Sequence, residues 1–175
     1  MLKGDILMNL DSEHEGELFI GCAGGMDGNI EFDYVADKVP EGYVPFLVKA
    51  SGLKGGHSGL DIHMGRGNSN LVLIRLLRKA EEKAGLRLCE FEGGNMRNAI
   101  PREAHATILI PESGKKEFNT VVEDYRKIIS KELAATEPDL VIEVSATDKP
   151  ARVMEIGLQK RLIAAIYSCP NGVIR

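Results

Sequence analysis

Hydrophobic and polar residues alternate in several short stretches of the chain, as they do in strands that bury one face. In YVPFLVKAS (43–51), one face consists of Val44, Phe46, Val48 and Ala50. Similar stretches are LRLCEFE (86–92), HATILI (105–110) and DLVIEVSA (139–146). We therefore expect these four stretches to form strands of one sheet.

Two segments between these strands have a helical period instead. The first helix would present one hydrophobic face, formed by Leu73, Leu77, Ala80 and Ala84. Asn68 or Ser69 can cap its start and Gly85 can end it. The second helix would bury Phe118, Val122, Tyr125, Ile129 and Leu133. It would end near Pro138, and a third helix is predicted over 157–168.

From Tyr43 to Ala146 the predicted order is strand, helix, strand, strand, helix, strand. This order is typical of a ferredoxin-like βαββαβ domain. The predicted fold class is α+β, with an antiparallel sheet and both helices on one face. Additional strands are expected at GDILMNLD (4–11), GELFIGC (16–22) and NIEFDYVAD (29–37). The last of these would form a hairpin or meander with the strand that begins at Tyr43.

Composition limits the class of protein. The 175 residues are 43% hydrophobic, which is enough for a buried core, and the formal charge is −4. An acidic chain without a basic stripe argues against nucleic-acid binding. No apolar run reaches the ~18 residues of a membrane span, and the first residues do not resemble a signal peptide. The three cysteines have no metal-type spacing, so we expect reduced thiols and a cytoplasmic protein.

The stretch SGLKGGHSGLDIHMGRGNSN (51–70) combines six glycines with two histidines. Glycines let a backbone approach a ligand closely, and His57 could then donate a hydrogen bond to a substrate carbonyl or its oxyanion. The alternatives are an exposed loop histidine or a phosphate site at the following helix N-terminus. His57 and His63 are six residues apart, about 20 Å in an extended chain, so a shared metal ion is not expected.

Two other polar segments could contribute to a site. EGGNMRNAIPREA (92–104) could present Asn98 through its amide, and Arg97 or Arg102 through contacts with a carboxylate. An ordinary solvated turn is the alternative. In LDSEHEGE (10–17), Asp11 follows a buried strand and could hold a metal, although a catalytic site needs about three protein ligands.

Four segments in this order, NLDSEHEGELFIGCAGG, GLKGGHSGLDIHMGRGNSN, EGGNMRNAIPREA and PNGVIR, resemble the aminoacyl-histidine dipeptidases (Xaa-His dipeptidase, peptidase D). These are carnosinase-like di-zinc metallopeptidases. In that family a lid domain, often dimeric, is inserted in a zinc-binding catalytic domain. The resemblance implies that 1–25 end a catalytic-domain strand and cross into the lid. It implies further that 26–168 form the lid, with its core at 43–146, and that 169–175 return toward the catalytic domain.

The resemblance also implies roles for single residues. His57 matches the lid histidine that stabilises the tetrahedral intermediate, Asn98 matches a substrate-contacting asparagine, and Asp11 matches a zinc ligand. The family's other zinc ligands and its general-base glutamate have no counterpart here, and its carboxylate-binding arginine would lie beyond Arg175. We therefore expect a homodimeric lid that needs the catalytic domain of the same parent to hold two zinc ions and hydrolyse a dipeptide. The isolated chain is expected to be inactive.

Two other classes remain open at this point. A free-standing ferredoxin-like domain that binds a small regulatory ligand would explain the fold. It would leave the GDILMNLDSE strand and the PNGVIR ending without a purpose. An RNA-recognition domain has the same element order but needs aromatic residues on its central strands. HATILI contains none.

Overall fold

The computed structural model describes residues 3–6, 8, 15–21 and 24–174. The chain divides into two compact units, Met1–Asp33 and Tyr34–Arg175. The described residues of the first unit are exposed and contain neither helix nor strand. Part of the strand predicted over 4–11 lies outside the described residues, and so do Asp11 and Cys22. The strand predicted over 16–22 is not formed in its described part.

The strand predicted over 29–37 is also wrong for most of its length. Regular pairing is confined to Ala36–Lys38, while Ile30 is 86% exposed and Val35 is 83% exposed. The expected hairpin with the strand at Tyr43 is wrong as well, because Ala36–Lys38 pairs with Arg152–Met154. Alternation stabilises a strand only where one face is buried, and these side chains bury neither face.

The described part of the second unit contains eight strands and three α-helices. In chain order they are β1 (Ala36–Lys38), β2 (Tyr43–Ser51), β3 (Gly56–His57), α1 (Ser69–Ala84), β4 (Arg87–Gly93), β5 (Ala99–Ile100), β6 (Ala104–Pro111), α2 (Lys115–Glu132), β7 (Val141–Ala146), β8 (Arg152–Met154) and α3 (Ile156–Ser168). Short 3₁₀ turns lie at Ile62–Met64 and Glu112–Gly114. Among the described residues, no helix has the length and hydrophobicity that a membrane span requires.

The main sheet of the described region has four strands in the order β4-β6-β2-β7, and each adjacent pair is antiparallel. Val48 lies opposite Ala106 on one side and Val144 on the other. This confirms the mixed α and β fold with an antiparallel sheet. The strand and helix order predicted from Tyr43 to Ala146 is present, with β3 and β5 as short additions.

Helices α1 and α2 cover the same face of this sheet. The core joins Val48 and Ile108 of the sheet to Leu77 of α1 and Phe118 of α2, and all four are fully buried. The Tyr125 hydroxyl donates to the carbonyl oxygen of Val72 at 2.6 Å, which links the two helices. The buried faces are those that the helical period predicted, except that Leu133 is only partly buried and follows the end of α2 at Glu132.

The start of α1 matters for the site, because the glycine-rich segment runs directly into it. The Asn68 side chain accepts hydrogen bonds from the N–H groups of Asn70 and Leu71. Gly85 follows the helix with a left-handed φ of 69°. Both capping predictions are confirmed.

Cys89 and Cys169 are free thiols.

Candidate functional site

His57 ends the two-residue strand β3 and begins a tight turn. Its Nδ1 accepts hydrogen bonds from the backbone N–H groups of Gly59 at 3.0 Å and Leu60 at 3.1 Å. An Nδ1 that accepts two hydrogen bonds carries no proton, so the ring proton of a neutral imidazole lies on Nε2. The side chain is exposed. His57 is therefore held as an exposed hydrogen-bond donor with a defined tautomer.

A second set of contacts fixes the backbone of this turn. The N–H of His57 donates to Oδ2 of Asp61 at 2.8 Å, and the N–H of Asp61 donates to the carbonyl oxygen of His57 at 2.9 Å. Asp61 also pairs with Nη1 of Arg66 at 3.2 Å, and that nitrogen donates to the carbonyl oxygen of Gly55 at 2.7 Å. Asp61 and Arg66 could not be identified from the sequence, because neither belongs to a periodic pattern.

The two glycines that precede His57 are required for steric reasons. A Cβ at Gly56 would collide with Nη1 of Arg66 and the carboxylate of Asp61. A Cβ at Gly55 would collide with the side chain of Arg102, and the φ of Gly55 is +67°. Glycine is the residue that allows both the left-handed conformation and this close approach. At Gly55 and Gly56, glycine is thus required by the packing of the His57 turn.

Asn98 lies beside His57, although the two are far apart in the sequence. Strand β3 pairs with β5 so that His57 is opposite Ala99, the residue after Asn98. The N–H of Ser58 donates to the carbonyl oxygen of Asn98 at 2.9 Å, and Asn98 is exposed. The structure therefore brings together the two segments that the sequence singled out independently. Strands as short as β3 and β5 give no detectable period, so this pairing could not be predicted.

An open depression of about 490 Å³ borders the same pair of strands. Its lining includes Gly56 and Ala99 together with the charged or titratable side chains of Glu92, Arg102 and His105. Nε2 of His105 lies 3.4 Å from Oε2 of Glu92. The depression thus presents polar groups of both charge types directly beside the His57 and Asn98 segments.

The structure does not support a phosphate site at the start of α1, because the backbone N–H groups there already have acceptors within the protein. At the start of α1, the N–H groups of Asn70 and Leu71 donate to the Asn68 side chain, and that of Ser69 donates to the carbonyl oxygen of Pro101 at 3.1 Å. Backbone donors already satisfied within the protein are not available to an anion. His57, which is exposed, remains a candidate for contact with a ligand.

No metal site is formed by the part of the chain that the structure describes. Within residues 3–6, 8, 15–21 and 24–174, no three His, Cys, Asp or Glu side chains are grouped so that they could hold an ion. Asp11, the predicted zinc ligand, lies outside these residues, as do Glu13 and His14. His63 lies in the exposed 3₁₀ turn after the His57 turn.

Comparison with known proteins identifies a matching family and several similar proteins. The peptidase dimerisation domain family matches residues 48–137. The cytosol non-specific dipeptidase of Escherichia coli (strain K12) is 43% identical over 176 residues, which is 99% of this chain and 36% of that protein. The crystal structure of aminoacylhistidine dipeptidase from Vibrio alginolyticus has a TM-score of 0.79 and 42% identity, over 82% of this chain and 29% of that one.

A more distant match shows the fold alone. A putative amidohydrolase/peptidase from Burkholderia cenocepacia has a TM-score of 0.50 and 15% identity over 68% of this chain. Across these matches, the chain spans about a third of the length of its relatives, with 36% of the dipeptidase from E. coli covered and 29% of that from V. alginolyticus. The matched family and the 43% identity favour a peptidase region over a free-standing ligand-binding module.

Proposed function

Because the chain belongs to the peptidase dimerisation domain family, we propose that it forms the lid and dimerisation region of a zinc-dependent dipeptidase that hydrolyses Xaa-His dipeptides. The observation that carries this proposal is the exposed His57 imidazole, held by two backbone donors to Nδ1 directly beside Asn98. The 43% identity to a dipeptidase over nearly the whole chain supports it.

His57 would act as a hydrogen-bond donor to the scissile carbonyl. Hydrolysis of a peptide bond places negative charge on the carbonyl oxygen, and a donor fixed in advance stabilises that charge without reorganising. The Nε2–H tautomer, imposed by Gly59 and Leu60, is the form that can donate. The exposed amide of Asn98 would contact the same substrate and fix its orientation.

The zinc ions of the proposed dipeptidase would require ligands other than the described residues. The described residues provide no group of three suitable side chains. Asp11 is proposed as one ligand, with the others on a catalytic domain of the same parent protein. Residues 1–25 and 169–175 would connect to that domain, and 26–168 would form the lid. The contribution proposed for the described residues is therefore contact with the substrate and its oxyanion.

A homodimer is proposed from the family description, and an exposed sheet edge supports it. Strand β7 is the last strand in the order β4-β6-β2-β7, and Val141 at its start is 47% exposed. An edge strand carries backbone groups that can pair with a second copy. Light scattering at increasing concentration should show a dimer, and a monomer at every concentration would contradict this part of the proposal.

The cytosol is the proposed location, as the name of the relative from E. coli indicates for that protein. The names of the relatives differ in the breadth of substrate, since one is called non-specific and the other aminoacylhistidine dipeptidase. The choice of Xaa-His dipeptides for this chain therefore has to be tested against a dipeptide that lacks histidine.

The test is hydrolysis of β-alanyl-histidine, glycyl-histidine and alanyl-alanine, with and without zinc. It compares this chain with the full-length protein that carries it. The proposal predicts zinc-dependent hydrolysis of the histidine dipeptides by the full-length protein and no turnover by the chain alone. Equal rates on all three substrates would contradict the Xaa-His specificity. Turnover by the chain alone at the full-length rate would contradict its assignment as a lid.

A further inference from the structure

We infer that Glu137 is a positioning residue for His57, acting by closing the base of the loop that carries it. This inference rests on the role proposed above for His57. Glu137 follows α2 and is far from the loop in the sequence. Nothing in the surrounding residues ATEPDL indicates a buried carboxylate.

The contacts of Glu137 span the two ends of the loop. Its Oε2 accepts a hydrogen bond from the N–H of Lys54 at 2.7 Å, and its Oε1 accepts one from the N–H of Gly67 at 2.8 Å. The residue is 2% exposed. Hydrogen bonds from backbone N–H groups to a carboxylate are among the stronger ones, and burial removes competition from water. A single side chain therefore joins residue 54 to residue 67.

The anchoring side of this contact is held against the end of α2. The N–H of Glu137 donates to the carbonyl oxygen of Leu133 at 2.7 Å, just after α2 ends. A Cβ at Gly67 would lie 3.2 Å from both Cγ of Glu137 and Cδ1 of Leu133. The loop base is thus packed tightly against the end of a helix that belongs to the main core.

The loop between these ends has little regular structure of its own. It contains the two residues of β3 and one 3₁₀ turn, Ile62–Met64. Closing a loop at its base removes many of the conformations that it could otherwise adopt. The N–H groups of Gly59 and Leu60 can remain on Nδ1 of His57 only while the turn keeps its shape. Loss of the Glu137 contacts should therefore release the orientation of the imidazole.

The first test is Glu137→Gln in the 175-residue chain. Gln has the same size, but its NH₂ would face one of the two backbone N–H donors, so one hydrogen bond is lost. We expect hydrogen exchange at the Gly59 and Leu60 amides to become at least tenfold faster. We also expect the ¹⁵N signals of the His57 ring to move from the Nε2–H tautomer toward an average of both tautomers.

A matched control separates positioning from a general loss of stability. Ile163, 1% exposed in α3, belongs to an element that contacts α1 and β4. Ile163→Val should lower the free energy of unfolding by about 1 kcal/mol without changing the Gly59 and Leu60 amides or the His57 ring signals. If Glu137→Gln changes these signals no more than Ile163→Val does, the inference is wrong.

A second measurement needs no variant and therefore does not depend on Glu137→Gln folding. Native-state hydrogen exchange in low denaturant reports which amides open together. The inference predicts that Lys54, Gly67, Gly59 and Leu60 open as one unit. Free exchange at Gly59 and Leu60 while Lys54 and Gly67 stay protected would overturn it. Both tests observe the loop that carries His57 rather than turnover, so they can fail independently of the proposed function.

Discussion

The backbone N–H of Ser58 donates to the carbonyl oxygen of Asn98 at 2.9 Å. This hydrogen bond extends the β3–β5 pairing and holds the His57 turn against the Asn98 segment. Because the bond uses the backbone of Asn98, the side-chain amide takes no part in it. A substitution of Asn98 can therefore remove the amide while the two segments stay together.

Asn98→Ala should reduce kcat/KM of the full-length protein for glycyl-histidine by about tenfold, the value of one hydrogen bond to the substrate. The unfolding midpoint of this chain should not change. Asn119→Ala, at an exposed position on α2, serves as the control and should leave kcat/KM unchanged. Equal kinetic effects of the two substitutions would contradict a substrate contact by Asn98.

Gly55→Ala should destabilise the chain more than Gly65→Ala. Both glycines have a φ of +67°, so each substitution costs about 1 kcal/mol of left-handed strain. Gly65 has no neighbouring atom within 4 Å of the added Cβ, whereas at Gly55 that atom would collide with Arg102 and lie 3.1 Å from the carbonyl oxygen of Ile100. The collision should add about 1–3 kcal/mol. Urea unfolding measures both variants, and equal losses would contradict the packing argument.

The ion pair between Arg75 and Glu132 should make stability depend on pH. Two hydrogen bonds of 2.7 Å from Arg75 hold the pKa of the Glu132 carboxyl below its usual 4.5, and burial opposes this only partly. A folded-state pKa below the unfolded value gives stability that is present above about pH 4.5. That stability is lost as the pH falls through the folded-state pKa.

Wild type should therefore be more stable than Glu132→Gln at neutral pH, and the difference should shrink at an acidic pH below the folded-state pKa of Glu132. The effect should be small, because both side chains are partly exposed, and it should shrink with added salt. Urea unfolding of both proteins at the two pH values measures it. An equal difference in stability at the two pH values would show that the charge of the Glu132 carboxylate contributes nothing to stability.

The sequence predicted the sheet and its two covering helices because burial repeats along each element. Leu77 and Val48 are fully buried as their periods indicated, and Asn68 caps α1. The same reasoning failed at Ile30, where alternation has no partner strand and the side chain is 86% exposed. A period indicates which face could be buried but does not establish that a partner is present to cover it.

The site was predictable in part. His57 stood out through its glycines and Asn98 through the polar segment 92–104, and the resemblance to a known family then implied a role for each. The contacts that hold them join residues distant in sequence, such as Lys54 and Glu137, which are 83 positions apart. Single side chains of this kind follow no period and cannot be found without the tertiary structure.

The most direct test of the account is the steady-state kinetics of His57→Ala in the full-length protein, with glycyl-histidine as substrate and His63→Ala as the control. His63 is an exposed histidine in the same loop. We predict that His57→Ala lowers kcat at least 100-fold, as expected for loss of one oxyanion donor. KM should change little, and His63→Ala should behave like wild type. If kcat is the same in the two variants, His57 is not the donor that stabilises the oxyanion.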